Sequence, residues 1–342
     1  MNQSNTVELQ PILAQWGLKV YHYKKIKDVY WVQTDRGPKN LKLSPLLPKR
    51  LLFVHQAVNH LESQGFDKMY PIIPLCNGQS YFCDGRFAYT LFDWIEGRQC
   101  NFQKIHELTG STRVLAEFHH KSQGFNPPEY SNMRNRLGKC MQHFEEYYLD
   151  LLEYKNLARG MAEDTFARIY LANVDFFLPL AEKAINRLHN TAYTELVDRA
   201  RETRPFCHGD PAARNFILTP ANAIFMIDFD SCRLDLPIMD LIKFTRRVMK
   251  KYRWDFKVAK SLIESYHQEN TLTLSELQVM KAVFYFPQKF WRMSTRYFHQ
   301  HGRHTPERAL QKFQKYLRNK LAFAQFQHDF ETYQLAGGKD DK

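Results

Sequence analysis

Two short apolar runs flanked by acidic and amide side chains are the feature that most constrains the fold of this chain. They lie in the stretch FCHGDPAARNFILTPANAIFMIDFD, Phe206–Asp230. Phe216–Leu218 and Ala223–Ile227 are predicted to be buried strands joined by a turn. In a tight hairpin the two outer ends lie side by side, so the polar residues that flank the strands should converge. Those residues are Asp210, Asn215 and Asp228. Their oxygen ligands suit Mg²⁺ better than zinc.

The composition is typical of a globular protein with a sizeable core. The chain has 342 residues, of which 44% are hydrophobic. The N-terminal sequence MNQSNTVELQPILAQWG lacks the basic and apolar regions of a signal peptide, and no 18 apolar residues run together. These features predict a cytoplasmic protein with no membrane span. The six cysteines show no metal-binding spacing and are expected to be reduced.

The net charge of +12 is concentrated towards the C-terminus. From Pro237 to Lys342 there are 20 Lys and Arg against 10 Asp and Glu. Such an excess can attract nucleic acid, an anionic surface or a phosphorylated ligand, or can simply solvate helix faces. No known nucleic-acid-binding motif accompanies the charge, so solvated helix faces are the preferred interpretation and nucleic acid is an unlikely partner.

The order of predicted elements indicates an α+β, two-lobed fold. Residues 1–95 are expected to form a small β-rich lobe with one helix over Lys49–Gln64, and residues 96–342 a large, mainly helical lobe. The boundary follows the strand pattern RFAYTLFDWI, where Glu96-Gly97 would form a hinge. Helices are predicted over the ranges 102–122, 133–154, 163–190, 238–252, 275–300 and about 306–326. The polar, glycine-rich tail, about 336–342, is expected to be disordered.

The motif order matches the protein-kinase-like fold. His208-Gly209-Asp210 followed by Asn215 fits HxDxxxxN, and Asp228 follows the next strand. In this interpretation Asp210 is the catalytic residue, which orients the attacking hydroxyl or accepts its proton, and Asn215 and Asp228 bind Mg²⁺. His208 would brace the loop. Only 12 residues separate Asp228 from Asp240, which leaves no room for a peptide-binding platform, so a small-molecule acceptor is expected.

At these residues the sequence resembles the aminoglycoside phosphotransferase and choline kinase superfamily. The resemblance includes YTLFDWIEG and VLAEFHH as well as the HGDxxxxN pattern. Within the superfamily it is most similar to the CotS-like group of spore-coat proteins, through FMIDFDSCRLDLPIMDLIKF and LLFVHQAVNHLESQGF. This resemblance implies a kinase-like protein of sporulation, made in the cytoplasm of the mother cell and deposited on the spore coat, with other coat proteins as possible partners.

The nucleotide-binding half of the site departs from the usual pattern. Lys42 is the candidate phosphate-binding lysine, but the helix that should supply its Glu partner has only Glu62, near its C-terminal end. Gln56 and His60 could take the place of that Glu, but neither carries a reliable negative charge. The presumed phosphate loop, KKIKDVYW, has no glycine. The backbone of Asp93 and Ile95 would bind the adenine of ATP.

Two functions therefore remain open at this point. The first is an active ATP- and Mg²⁺-dependent small-molecule kinase, supported by Asp210, Asn215 and Asp228. The second is a catalytically inactive structural or scaffolding protein of the spore coat, supported by the incomplete lysine clamp.

Overall fold

The computed structural model describes residues 9–45, 47–131, 134–299 and 306–337. The chain divides into two compact units. The first comprises the residues up to Arg134 together with His208–Arg233, and the second comprises Asn135–Cys207 together with the residues from Leu234 onwards. The lobe boundary between residues 95 and 96 stays a prediction. Most of the predicted disordered tail, residues 338–342, lies outside the described residues.

The first unit contains an antiparallel sheet preceded by a short helix, α1 (Leu9–Leu13). Its strands are β1 (Val20–Ile26), β2 (Val29–Thr34), β3 (Gly37–Pro45), β4 (Ile72–Ile73), β5 (Phe82–Cys83) and β6 (Phe87–Asp93). The strand order is β1-β2-β3-β6-β4, and β5 also pairs with β6. The strand predicted from RFAYTLFDWI is confirmed as β6, whereas the two-residue strand β4 was not predicted. Val32, Leu41 and Leu91 are fully buried in the core of this unit.

Helix α2 (Pro48–Ser63) follows β3, as predicted, and buries Phe53, Ala57 and Leu61 completely. A second, three-stranded sheet contains β7 (Arg98–Gln99), β8 (Phe216–Leu218) and β9 (Ile224–Met226) in that order. The predicted hairpin is therefore confirmed. Helix α3 (Ile105–Lys121) completes this unit.

The second unit is helical. Its helices are α4 (Cys140–Arg159), α5 (Thr165–His189), α6 (Tyr193–Thr203), α7 (Pro237–Met249), α8 (Phe256–Glu269), α9 (Leu274–Tyr285), α10 (Gln288–Phe298), α11 (Pro306–Leu317) and α12 (Lys320–Thr332). The prediction of one helix over 275–300 is wrong, because Pro287 has no N–H to continue the ladder and separates α9 from α10. The predicted helix over about 306–326 is also two helices, and α6 and α8 were missed.

All six cysteines are unbridged in the described structure, as expected. Among the described residues, no helix combines the length and apolar character needed to cross a membrane.

Candidate active site

The loop that carries Asp210 is braced by a neutral histidine. The ring of His208 is buried, and its Nδ1 accepts a hydrogen bond from the backbone N–H of Asp210 at 3.2 Å. Nε2 lies 3.0 Å from the carbonyl oxygen of Ile227. Because Nδ1 accepts, Nε2 must carry the proton and donate to Ile227. The ring thereby ties the loop to the residue before Asp228, which is the bracing role predicted for His208.

A glycine is required at position 209 because the backbone of Ser231 passes very close to it. The φ of Gly209 is 79°, and a Cβ at this position would lie 2.1 Å from the carbonyl oxygen of Ser231. The close approach excludes a Cβ, and the left-handed φ disfavours any residue with a side chain. The glycine therefore lets the Asp210 loop pack directly against the backbone that follows Asp228.

Asp210 and Asn215 are joined by direct hydrogen bonds. The Asn215 amide nitrogen donates to the Asp210 carbonyl oxygen at 2.8 Å and to its Oδ2 at 3.3 Å. Arg214 also donates to Oδ2, at 2.5 Å. Because the amide nitrogen of Asn215 is used in this way, its Oδ1 is the atom left to act as a metal ligand.

Lys42 is paired with two acids. Its Nζ lies 2.8 Å from Oδ1 of Asp228 and 2.8 Å from Oδ1 of Asp230. Burial by itself would lower the pKa of Lys42, but the negative charges of Asp230 and Asp228 outweigh burial and raise it. Lys42 therefore has acidic partners, and neither of them comes from the helix that was expected to supply a Glu.

Asp228 is an ionised carboxylate held in a left-handed backbone conformation, with φ of 69°. Burial would raise its pKa, but the charge and hydrogen bond of Lys42 outweigh burial and lower it. Non-glycine residues with this conformation are concentrated at functional sites, and Asp tolerates it better than most residues.

The backbone after Asp228 is fixed by a buried arginine from α2. Nη2 of Arg50 donates to the carbonyl oxygens of Asp230, at 2.6 Å, and Cys232, at 2.5 Å. Asp230 lies in a 3₁₀ turn, Phe229–Ser231. Arg50 therefore sets the position of the turn from which Asp230 reaches Lys42.

Helix α2 presents a histidine where a glutamate was expected. His55 Nε2 lies 3.3 Å from Oγ1 of Thr90, which is directly opposite Lys42 in the sheet, and Nδ1 lies 2.8 Å from Oγ of Ser80. Burial, the largest effect, and the charge of Lys42 lower the pKa of His55 to about 4, although Asp230 opposes them. The ring is therefore neutral near pH 7 and cannot supply a negative charge.

Neither substitute considered for the missing glutamate serves that purpose. Gln56 is exposed and lines a cavity with Ser80 and Tyr81. Nε2 of His60 lies 2.8 Å from the carbonyl oxygen of Gln123. Glu62 is exposed as well.

The two residues proposed for adenine binding lie at and after the end of β6. The Asp93 carboxylate accepts a hydrogen bond from Nζ of Lys39 at 2.5 Å, and its strand position pairs with Lys39. Ile95 follows β6 in an irregular segment. Within the described residues, no hydrogen bond connects either residue to Asp210, Asn215 or Asp228.

Asp230 and Arg50 are the residues that the sequence analysis missed. Asp230 stands two positions after Asp228 in the sequence IDFD, and this spacing was a signal that a second carboxylate belongs to the site. Arg50 gave no comparable signal, because its contacts join positions 180 and 182 residues apart.

The donor set fits a hard divalent cation. The carboxylates of Asp228 and Asp230 and the amide oxygen of Asn215 are oxygen ligands, as Mg²⁺ prefers. Lys42 now balances the negative charge of the two carboxylates. The same ammonium group is able to contact the phosphates of a nucleotide that arrives with the cation.

Comparisons with known proteins give a consistent result. Spore coat protein S of Bacillus subtilis is 27% identical over 280 residues, which cover 80% of this chain and 78% of that protein. An aminoglycoside phosphotransferase from Alicyclobacillus acidocaldarius has a TM-score of 0.82 at 21% identity and covers 95% of this chain and 96% of its own. A spectinomycin phosphotransferase crystallised with ADP and spectinomycin has a TM-score of 0.61 at 11% identity, with 95% and 98% covered.

These two structures confirm the predicted α+β, protein-kinase-like fold. A sequence model described as the phosphotransferase enzyme family matches residues 25–280. The chain therefore belongs to the phosphotransferase enzyme family.

Proposed function

We propose that the protein transfers the γ-phosphoryl group of ATP to a hydroxyl group of a small molecule, with Mg²⁺ as the cofactor. The observation that carries this proposal is the pairing of Lys42 with both Asp228 and Asp230. Phosphoryl transfer needs a fixed positive charge beside a metal-binding carboxylate, because positioning and charge neutralisation supply most of the catalysis.

Each side chain has a distinct role in this proposal. Asp210 orients the acceptor hydroxyl and accepts its proton. Asn215 and Asp228 hold Mg²⁺, which when bound would neutralise the charge on the phosphates. Lys42 contacts the same phosphates, and the backbone of Asp93 and Ile95 binds adenine. Residues 1–95 would form the nucleotide side, and residues 96–342 would supply the catalytic loop and the acceptor side.

The acceptor is proposed to be a small molecule. Helix α7 begins at Pro237, so the segment after Asp228 is short and is occupied by a 3₁₀ turn. Protein kinases use a long segment at this place to bind peptides. The names of the two structural neighbours, which refer to small antibiotics, support the same class of acceptor.

Transfer is tested by incubating the protein with Mg²⁺ and ATP labelled on the γ-phosphate, with mixed small-molecule extracts of sporulating cells as the source of acceptors. The proposal expects a labelled product with the parent protein and none above background with Asp210→Asn. Equal labelling by the two proteins, or none by the parent while the same extracts are phosphorylated by another small-molecule kinase, would contradict turnover by this site.

A structural role in the spore coat is the second candidate. The first observation that favours it is the similarity to Spore coat protein S. The second is that the turn between β1 and β2, where a phosphate loop was expected, contains no glycine, and Lys27 takes the left-handed conformation there with φ of 55°. In this case the protein would be made in the mother cell and assembled with other coat proteins. An Asp210→Asn allele that restores normal coat assembly in a deletion strain supports this role, whereas failure to restore it would tie coat assembly to turnover.

A further inference from the structure

The second compact unit carries a cluster of positive side chains contributed by three helices. Its members lie at the C-terminal end of α7, along α10 and near the end of α11. We call it the cationic cluster, and it comprises Arg246, Arg247, Lys250, Lys289, Arg292, Arg296 and Lys315.

Hydrogen bonds from Arg246 fix α7 beside the junction of α9 and α10. Its Nη2 donates to the carbonyl oxygens of Val283, at 2.6 Å, and Phe286, at 3.1 Å, and its Nη1 donates to Oε1 of Gln288 at 3.0 Å. The last carbonyls of a helix have no partners within it and attract positive charge. The break at Pro287 therefore creates the acceptors that hold the first member of the cluster.

Helix α10 contributes a row of three positive charges. Lys289, Arg292 and Arg296 follow one another at spacings of three and four residues, so they share one helix face. Nζ of Lys289 lies 4.9 Å from the centre of the Tyr316 ring on α11, which brings α11 and its Lys315 beside the row.

Among the described residues, no ion pair is formed by Lys250, Lys289, Arg292 or Arg296. The nearby acid Asp150 accepts a hydrogen bond from Nε1 of Trp291 at 2.7 Å. Lys250, Arg292 and Arg296 are solvent-exposed and so accessible to a ligand.

Burial and, to a smaller extent, repulsion between its members lower the pKa values of lysines in the cluster. The pKa of Lys250 is lowered to about 8. Desolvation by the surrounding protein is the largest cause, and the positive charges of Lys289, Arg292, Arg247 and Arg246 add to it. Burial and the charge of Arg292 lower the pKa of Lys289 as well. Unfavourable charge concentrations of this kind are typical of functional sites, because a bound ligand of opposite charge relieves them.

We propose that the cationic cluster is a binding site for a small, multiply charged phosphate compound. Guanidinium groups bind phosphate through two parallel hydrogen bonds, and ammonium groups add point charges. The row from Lys289 to Arg296 spans about 10 Å along α10 at 1.5 Å per residue. That length accommodates a ligand with two or three neighbouring phosphates. This inference does not depend on the proposed phosphotransfer.

The test is calorimetric titration of the full chain with inorganic pyrophosphate in EDTA, without nucleotide. Arg292→Gln and Lys250→Gln should each weaken binding by about tenfold, since each removes a charge-assisted contact with the ligand. The matched control is Lys260→Gln, which removes an exposed positive charge on α8 that is 3.7 Å from Glu264. Its affinity for pyrophosphate should equal that of the parent.

A second measurement uses the proteins without ligand. Because the cluster repels itself, Lys250→Gln should melt at the same temperature as the parent or higher in low salt, whereas a purely structural lysine would lower the melting temperature when removed. The inference is overturned if the parent does not bind pyrophosphate. It is overturned equally if Lys260→Gln loses as much affinity as Arg292→Gln, or if single-stranded DNA binds at the cluster and pyrophosphate does not compete.

Discussion

At the scale of single residues, the central finding is that Lys42 is held by acids from the turn after β9 instead of by an acid from α2. Both contacts are 2.8 Å long. If Mg²⁺ takes Asp228 as a ligand, Asp230 remains to hold the lysine towards the phosphates. Asp230 is therefore the positioning residue of the proposed site.

Asp230→Asn should weaken Mg²⁺-ATP binding by about tenfold or less, equivalent to about 1 kcal/mol, because the side chain is half-exposed and its pair is partly screened. The measurement is calorimetry. Glu62→Gln is the control, because it makes the same change at the single acid of α2, which is exposed. If both variants bind like the parent, Asp230 does not position Lys42.

Asp210→Asn tests the proposed base. Turnover should fall by roughly two to four orders of magnitude while nucleotide affinity stays unchanged, because the proton acceptor is lost and the phosphate contacts remain. Asp198→Asn is a suitable control, since Asp198 is an exposed acid that pairs with an arginine three residues away, much as Asp210 pairs with Arg214. Equal steady-state rates for Asp210→Asn and Asp198→Asn would show that Asp210 is not the proton acceptor.

The sequence predicted part of this site. Asp210, Asn215 and Asp228 could be proposed as site residues because local spacing along a hairpin determines which ends meet. The partners of Lys42 could not, because the contact between Lys42 and Asp228 joins positions 186 residues apart in the sequence. Arg50 was invisible for the same reason.

At the scale of elements, α3 is anchored by a buried carboxylate. Glu107, in its first turn, accepts hydrogen bonds from Arg98 at 2.7 and 2.8 Å and from the backbone N–H of Asn101 at 2.7 Å. The bonds from Arg98, the largest effect, and that from Asn101 outweigh burial and lower the pKa of Glu107 from 4.5 to about 2.

Because the pKa of Glu107 is lowered on folding, its carboxylate stabilises the folded state above pH 4.5, and this stabilisation is lost as the pH falls towards 2. Glu107→Gln should therefore lower the melting temperature at pH 7, and the difference from the parent should shrink as the pH falls through this range. Thermal melts of parent and variant at several pH values measure the difference. A difference that does not change with pH would mean that the charge of Glu107 contributes nothing.

Element boundaries were the least predictable feature of the fold. Apolar periodicity continues through Pro287, so the pattern alone joined α9 to α10 although the missing N–H ends the first helix at Tyr285. The short strand β4 is defined by its pairing with β6, a tertiary contact that a window of two residues does not encode.

At the scale of the whole molecule, the order of parts in the sequence was sufficient to predict the fold. Strands, one helix, a hinge and then helices with HxDxxxxN are arranged as in the phosphotransferase relatives, and the structural match covers 95% of the chain. The grouping into compact units could not be read from that order, because His208–Arg233 joins the first unit from a distant part of the sequence.

The positive charge is also distributed unevenly over the molecule. The chain has a net charge of +12, and the cationic cluster supplies seven of its positive side chains. The sequence analysis preferred solvated helix faces for this excess, because spacing in sequence did not show that α7, α10 and α11 bring their charges together.

The most direct test of the account is thermal unfolding of the parent and Asp228→Asn with ATP, in Mg²⁺ or in EDTA. Asn tolerates the left-handed conformation at this position, so the variant should fold and melt as a native protein does. Because a ligand that binds only the native state raises the melting temperature, the parent should be stabilised by ATP more strongly with Mg²⁺ than with EDTA, and the variant should show no Mg²⁺-dependent gain. The same Mg²⁺-dependent gain in both proteins, or none in the parent at millimolar ATP, would contradict a nucleotide and metal site built on Lys42, Asn215 and Asp228.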